Sequence, residues 1–145
     1  MKVEFSMLGV PKNWSNFMRN RYVVYEEKDE WVRSTTILGR VARVKAGRDV
    51  AEKGHPLRMV HLHQIRTRLL DKDGLFISNK PIVDGLKTWL RRKVDGEFTQ
   101  VPGAGLIFND DPKHCDWNCT QELAGGRDQK ITITVEIEDK EAERV

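Results

Sequence analysis

The chain is poor in cysteine and in long apolar runs. Only two of its 145 residues are cysteine, Cys115 and Cys119. That is too few for a disulfide framework, so a reducing, cytoplasmic setting, bacterial or phage-infected, is the expectation. The longest apolar stretch falls far short of the roughly 20 residues that cross a bilayer, which speaks against membrane insertion. Met1-Lys2-Val3-Glu4 has an acid at its fourth position and no long apolar core behind it, unlike a secretory signal peptide. Internal repeats and low-complexity tracts are also lacking. What is present suits a packed core: 39% of residues are hydrophobic, too many for a disordered chain, and the length suits one domain rather than two.

Net charge is small as well, +3, but it is unevenly spread. Residues 1–93 carry 20 Lys+Arg against 10 Asp+Glu, and residues 94–145 carry 5 against 12. A basic first two-thirds suggests a surface for a polyanion such as nucleic acid; the same side chains also serve simply to solvate helix and strand faces. Much of the acidic excess lies in residues 136–143, which read as a solvated tail. The domain is therefore expected over 1–138, with an acidic tail over 139–145.

Periodicity outlines the elements. Val3, Phe5 and Met7 alternate with Glu4 and Ser6, which predicts a half-buried strand over 2–8. Gly9, Pro11, Asn13, Ser15, Asn16 and Asn20 mark a polar loop. A helix is expected from Glu26 to Lys45, with Trp31, Leu38 and Val41 as its stripe, acids in its first turn and Gly47 as its stop. A second strand is expected over 57–69. A second helix is expected within 75–92, with Ile82, Val83, Leu86, Trp89 and Leu90 buried; Pro81 disfavours helix at Lys80, so this helix either starts there, capped by Ser78 or Asn79, or kinks. Residues 93–105 read as a loop and Leu106-Ile107-Phe108 as a short strand. The clearest strand covers 130–138, where Ile131, Ile133, Val135 and Ile137 alternate with polar residues. Without a regular βαβ alternation the pattern favours an α+β domain, a single mixed sheet packed by two helices.

Three carboxylates stand out by position. Asp71 and Asp73 follow the second strand, and an extended segment would point both to one face. Asp111 follows the short apolar strand, with Asp110 before it. Should the two strand ends adjoin, three anions would converge and repel one another unless a cation neutralised them. Mg²⁺ takes such oxygen ligands and can activate water beside a phosphodiester. Asp71-Lys72-Asp73-Gly74 and Asn109-Asp110-Asp111-Pro112 are equally good turns, since Asp, Asn and Gly collect there for conformational reasons.

The blocks Leu70-Asp71-Lys72-Asp73-Gly74-Leu75, Lys80-Pro81-Ile82-Val83-Asp84-Gly85-Leu86 and Leu106-Ile107-Phe108-Asn109-Asp110-Asp111, preceded by Pro11-Lys12-Asn13-Trp14-Ser15-Asn16, resemble in order and approximate spacing the RusA-type Holliday junction resolvases. That family carries a D-x-D-N-L segment, a lysine four residues before D-A-L on the next helix, and a double aspartate after a short apolar strand. The resemblance covers most of the chain, roughly residues 3–137. It implies that Asp71, Asp73 and Asp111 bind Mg²⁺, with Mn²⁺ as substitute, and that Lys80 stabilises charge at the scissile phosphate. It also implies a homodimer that nicks four-way DNA junctions symmetrically in recombination and repair, in a phage or prophage setting, without a small-molecule cofactor. Here Gly74 stands in place of the asparagine, the spacing from Asp73 to Lys80 is longer, and so is the loop over 94–105. A flap- or fork-specific nuclease of the same fold, and a non-catalytic branched-DNA-binding protein, are the alternatives.

Other residues bear on DNA. Arg66 and Arg68 flank the carboxylates and are candidates for phosphate contact, as are Arg19 and Arg21 in the early loop. Lys87, Arg91 and Arg92 are expected on the second helix, where its dipole also favours cations, and are left outside the site. His61 and His63 read as ordinary strand residues. His114, Cys115 and Cys119 resemble half of a zinc site, but no second cysteine pair completes it; the cysteines read as reduced and packed near Trp117. Of the tryptophans, Trp14 in its loop is the one placed to stack on a base.

Overall fold

The computed structural model describes residues 1–16 and 21–138. The element order is β1 (Lys2–Leu8), a 3-10 turn at Trp14–Asn16, α1 (Arg21–Lys45), β2 (Arg58–Arg66), α2 (Lys72–Leu86), β3 (Trp89–Val94), β4 (Glu97–Pro102), β5 (Cys115–Leu123) and β6 (Lys130–Glu136). Four strands form one sheet in the order β1-β6-β2-β5, and β3 and β4 form a separate hairpin. β6 pairs antiparallel with both β1 and β2, whereas β2 and β5 run parallel. The domain is thus α+β with a mixed sheet and two helices, as the sequence implies. No described helix is long and apolar enough to cross a membrane.

Both helices contribute to one core. Val3 and Met7 of β1, Val60 and Leu62 of β2, and Ile131, Ile133 and Val135 of β6 are buried together with Ile82, Val83 and Leu86 of α2. Each such side chain is worth roughly 1.5–3 kcal/mol relative to exposure. The opposite sheet face is polar: His61 meets Asn118 and Glu136, and His63 meets Thr120 and Glu122. The two histidines are therefore strand residues bound to their neighbours, as expected.

Several elements differ from expectation. α1 begins at Arg21, so its acids lie beyond the first turn, and Ile37, Leu38, Val41 and Val44 are exposed while Thr35 is buried. Ser78 and Asn79 do not cap α2. Asp71 does, accepting a hydrogen bond from the Gly74 N–H at 2.6 Å, and Pro81 lies inside the helix. Pro81 removes one helical hydrogen bond, but its ring is buried and lengthens the apolar stripe. Trp89 and Leu90 belong to β3 rather than to α2, and within the expected loop over 93–105 residues 93–102 form a hairpin. Asp95 (φ 52°) and Gly96 (φ 84°) form its turn, the left-handed pair that a two-residue hairpin requires. In Leu106-Ile107-Phe108 the first two residues are buried, and a single bridge from Ile107 to Lys87 replaces the expected strand. β5 was not foreseen as a strand. The acidic tail over 139–145 lies outside the described residues, as does Arg19.

The helices cross closely at Gly85. A Cβ there would stand 2.8 Å from both Thr35 Cβ and the Val32 carbonyl oxygen. A methyl group gains about 0.5–1 kcal/mol of helix propensity, but overpacking against backbone costs typically 1–3 kcal/mol. Gly85→Ala is therefore expected to be destabilising by about 1–2 kcal/mol, seen as a lower urea midpoint at unchanged m-value.

Candidate functional site

Between β2 and β5 the chain runs through α2, the hairpin and the turn at 109–114. Each block of the resemblance except the early loop lies in this crossover.

The Asp71 and Asp73 side chains are set by a helix start, not by a strand end. β2 stops at Arg66, Asp71 caps α2 and Asp73 occupies its first turn. The expected extended geometry, with both carboxylates on one strand face, is thus replaced by helical geometry. Asp111 is held in its own turn: one oxygen accepts from the Lys113 N–H at 3.0 Å and meets His114 Nδ1 at 2.7 Å, and the other accepts from Asn109 Nδ2 at 3.0 Å. Burial alone would raise its pKa, but the His114 hydrogen bond and charge outweigh this and hold the carboxyl below its usual range.

These aspartates sit toward opposite ends of β5. The Cys115 N–H bonds the Asp111 carbonyl, whereas Leu70 is fastened by its N–H and carbonyl to the Gln121 side chain. Along an extended strand those anchor points are separated by about 20 Å. Among the described residues no three His, Cys, Asp or Glu side chains form a group able to hold a metal ion. The donor set Asp71, Asp73 and Asp111 therefore does not fit a shared Mg²⁺ site in this arrangement.

The structure does bring together Lys80 and the double aspartate, through Asp110 rather than Asp111. Lys80 Nζ forms an ion pair with Asp110 and lies 3.3 Å from Asp84 Oδ1, one helical turn on. Burial opposes the charge on Lys80, but the hydrogen bond to Asp110 and the charges of Asp84 and Asp110 prevail and raise its pKa. Burial likewise opposes the Asp110 carboxylate, and the same lysine lowers its pKa. Asp73 and Lys80, seven residues apart, share one face of α2, with Asp73 about 10 Å along the axis from Lys80, and Lys87 follows as the extended C-cap.

That face borders a cavity of about 550 Å³ between α1, α2 and β3. Its cations are Lys28, Lys80, Lys87, Arg91 and Arg92, against the two carboxylates of Asp29 and Asp84. Asp29 holds Arg92 at 2.8 Å and Asp84 lies 3.6 Å from Lys87. The sequence places Lys87, Arg91 and Arg92 near a helix C-terminus, where the dipole accounts for cations without a site. Lys87 is the C-cap of α2 and Arg91 and Arg92 lie on β3, and all three line the cavity.

The remaining candidates separate. Arg66 is 9% exposed, and its guanidinium donates to Gln64 Oε1 at 2.7 Å, the Pro11 carbonyl at 2.8 Å and the Arg68 carbonyl at 3.0 Å. It ties the early loop to β2, and the phosphate contact expected of it is corrected to a structural one. Arg68 is exposed; Arg21 opens α1, but its side chain lies outside the described residues. Trp14 is 5% exposed, its indole fixed to the Ser78 carbonyl at 3.2 Å, so it forms a wall rather than a free stacking platform. The exposed aromatics here are Tyr25 and Phe76, which sequence reasoning missed because neither belongs to a recognisable motif. Cys115 and Cys119 are free thiols on the core side of β5; no zinc-like group forms around them among the described residues.

No protein-family model, curated protein or solved structure matches the chain.

Two outcomes follow from these environments. Lys80→Met is expected to change stability by less than about 1 kcal/mol, because half-exposed ion pairs contribute little; urea denaturation checks this and separates any functional loss from unfolding. Burial pushes the Cys115 thiol up to about 12. An acid whose pKa is raised by folding keeps its proton in the native state while the unfolded chain loses it, so stability falls as pH rises above about 8.5. Denaturation midpoints at pH 7 and pH 10 should show this decline, and Cys115→Val should reduce it.

Proposed function

We propose that this chain is a RusA-type endonuclease that cleaves branched DNA, with four-way junctions as its substrate. The reading is carried by one observation: the lysine of the K-P-I-V-D block and the double-aspartate block, 30 residues apart, meet in an ion pair beside a cationic groove. Blocks identified separately in sequence thus share one site. The Lys80 ammonium is held by two carboxylates at the groove, where it faces the approach of a phosphodiester. A cation in that position stabilises charge that develops on a non-bridging oxygen during cleavage. The groove's excess of cations supplies attraction for the backbone.

A homodimer belongs to the same proposal. Ile37, Val41 and Val44 form an exposed apolar ridge along α1 at helical spacing, and a two-fold pair of sites suits a junction with matching symmetry. Mg²⁺ enters from the resemblance; because the three carboxylates do not converge here, no step is assigned to a bound ion. Their separation favours a second reading, a branched-DNA-binding protein without catalysis, in which Asp71 and Asp111 serve only their turns.

A cleavage assay tests these readings. Purified protein is incubated with a mobile four-way junction, a flap and a linear duplex, with Mg²⁺, Mn²⁺ or EDTA. Symmetric nicks confined to the junction, dependent on the metal and absent in Asp73→Asn, are expected. Lys80→Met should slow cutting by about 10²–10³-fold, the range for loss of a charge-stabilising donor. Wild-type rates in both variants would overturn the site, cutting of flaps alone would change the substrate, and salt-sensitive junction binding with no cutting would establish the second reading.

A further inference from the structure

The groove has a composition that phosphate attraction alone does not require. Its floor is apolar, made by Val32, Ile77, Pro81 and Leu90. Two aromatic side chains stand at its edge with much of their surface open, Tyr25 at 67% and Phe76 at 51%. Phe76 is fixed from behind by stacking on Trp117, with ring centroids 4.2 Å apart and planes 20° from parallel. Trp14 closes the end, its indole N–H already bonded to the Ser78 carbonyl. Lys28 lies over the Trp14 ring, 5.9 Å from its centre, and Lys80 and Lys87 also line the groove, both steadied by Asp84. Arg91 adds to them, its guanidinium 4.4 Å from the centre of the Phe98 ring.

A lining that combines apolar side chains, exposed rings and cations matches a ligand that carries both a flat ring and a phosphate. A duplex cannot fill such a hollow, because its bases are stacked and paired inside the helix. The volume of about 550 Å³ lies within the roughly 300–1,000 Å³ of small-ligand sites. An uncharged apolar peptide would use the floor but bring no anion to the cations.

We propose that this groove is a pocket for one unpaired nucleotide, whose base lies against Phe76 and Tyr25 and whose phosphate meets Arg91, Lys80 and Lys87. The inference rests on reading the groove as a DNA site and deepens it: the branch is recognised through a nucleotide that pairing does not hold in the stack. Extrusion of a base is least costly where it is already unpaired, so the pocket favours junctions, flaps and bulges over continuous duplex. The same chemistry suits a free nucleoside monophosphate.

The test is run in EDTA, so that it does not depend on cleavage. A duplex carrying one unpaired 2-aminopurine, the same duplex fully paired, and free deoxyadenosine monophosphate are titrated with protein, following fluorescence and anisotropy. The unpaired duplex is expected to bind about tenfold more tightly than the paired one, the scale of one base stacked on an aromatic side chain, with a change in 2-aminopurine emission. Tyr25→Ala, Phe76→Ala and Arg91→Ala should each reduce that preference; Tyr25 and Arg91 are exposed, so their loss reports binding rather than folding. Saturable binding of the free monophosphate, weakened by the same variants, would support the pocket chemistry and name the free nucleotide as its source. Equal affinity for paired and unpaired duplex, with no binding of the monophosphate, would overturn the proposal even if the junction is cut. Failure to cut, with the preference intact, would overturn only the nuclease.

Discussion

The parallel pairing of β2 with β5 organises the molecule. Parallel neighbours cannot be joined by a tight turn, because the chain must return to its starting end before the second strand begins. Here the return is made by α2, the β3–β4 hairpin and the turn at 109–114. The outward leg places Lys80 and Asp84 on one helix face, and the return leg delivers Asp110 against them. The crossover is fixed to the sheet by buried polar contacts: Gln64 of β2 donates to Ser78 Oγ at 3.0 Å and Asn79 Oδ1 at 2.8 Å. No buried side-chain nitrogen or oxygen among the described residues lacks a partner. Unpaired polar groups in such a core are costly, so this network sets the register of α2 on the sheet and hence the height of Lys80 beside the groove.

The legible parts of the fold are those where one strong physical preference dominates. β1 and β6 each bury one face and expose the other, and their alternation is plain in Val3–Met7 and in Ile131–Val135. β5 was missed because its inward residues are Cys115, Trp117, Cys119 and Gln121. That set looks like a thiol motif, and as an edge strand β5 needs less apolar content than a central one. The sequence pattern carries α2 past its true end at Leu86 because Trp89 and Leu90 continue its helical spacing by coincidence, while Asp95-Gly96, which turns β3 into β4, sits in a stretch rich in loop-forming residues. Pro81 was weighed as a breaker; its burial on the groove side of α2 offsets the lost hydrogen bond.

The site was legible in its parts and not in its assembly. Position in the sequence singled out the double aspartate and the family resemblance singled out Lys80, and the fold joins them through Asp110. The sequence did not show which aspartate faces the lysine. In Asn109-Asp110-Asp111-Pro112 the second aspartate turns back to cap its own turn and meet His114, which leaves Asp110 to reach across. Asp71 shows the same competition between a local and a distant role: its carboxylate satisfies the first turn of α2, where an anion is favoured by the helix dipole. Short polar side chains readily bond nearby backbone, so a pattern of aspartates alone does not distinguish turn-makers from a cluster of anions.

The electrostatics of the groove follow from this division. Asp84 and Asp110 keep Lys80 charged despite its partial burial, and Asp29 orients Arg92 while also meeting Arg33 at 2.8 Å. Cations paired in this way are preorganised, since their side chains are held before any ligand arrives. A phosphate entering the groove exchanges with a carboxylate at a cation that is already positioned, so the gain in Coulomb energy is smaller than for a bare lysine while the loss of side-chain freedom is smaller too. Affinity from charge alone is therefore moderated, and discrimination falls to what the apolar floor and the two exposed rings can hold. A surface with five unpaired cations would bind any polyanion. This groove, with its cations partly neutralised and its floor apolar, favours the anion that brings a ring with it.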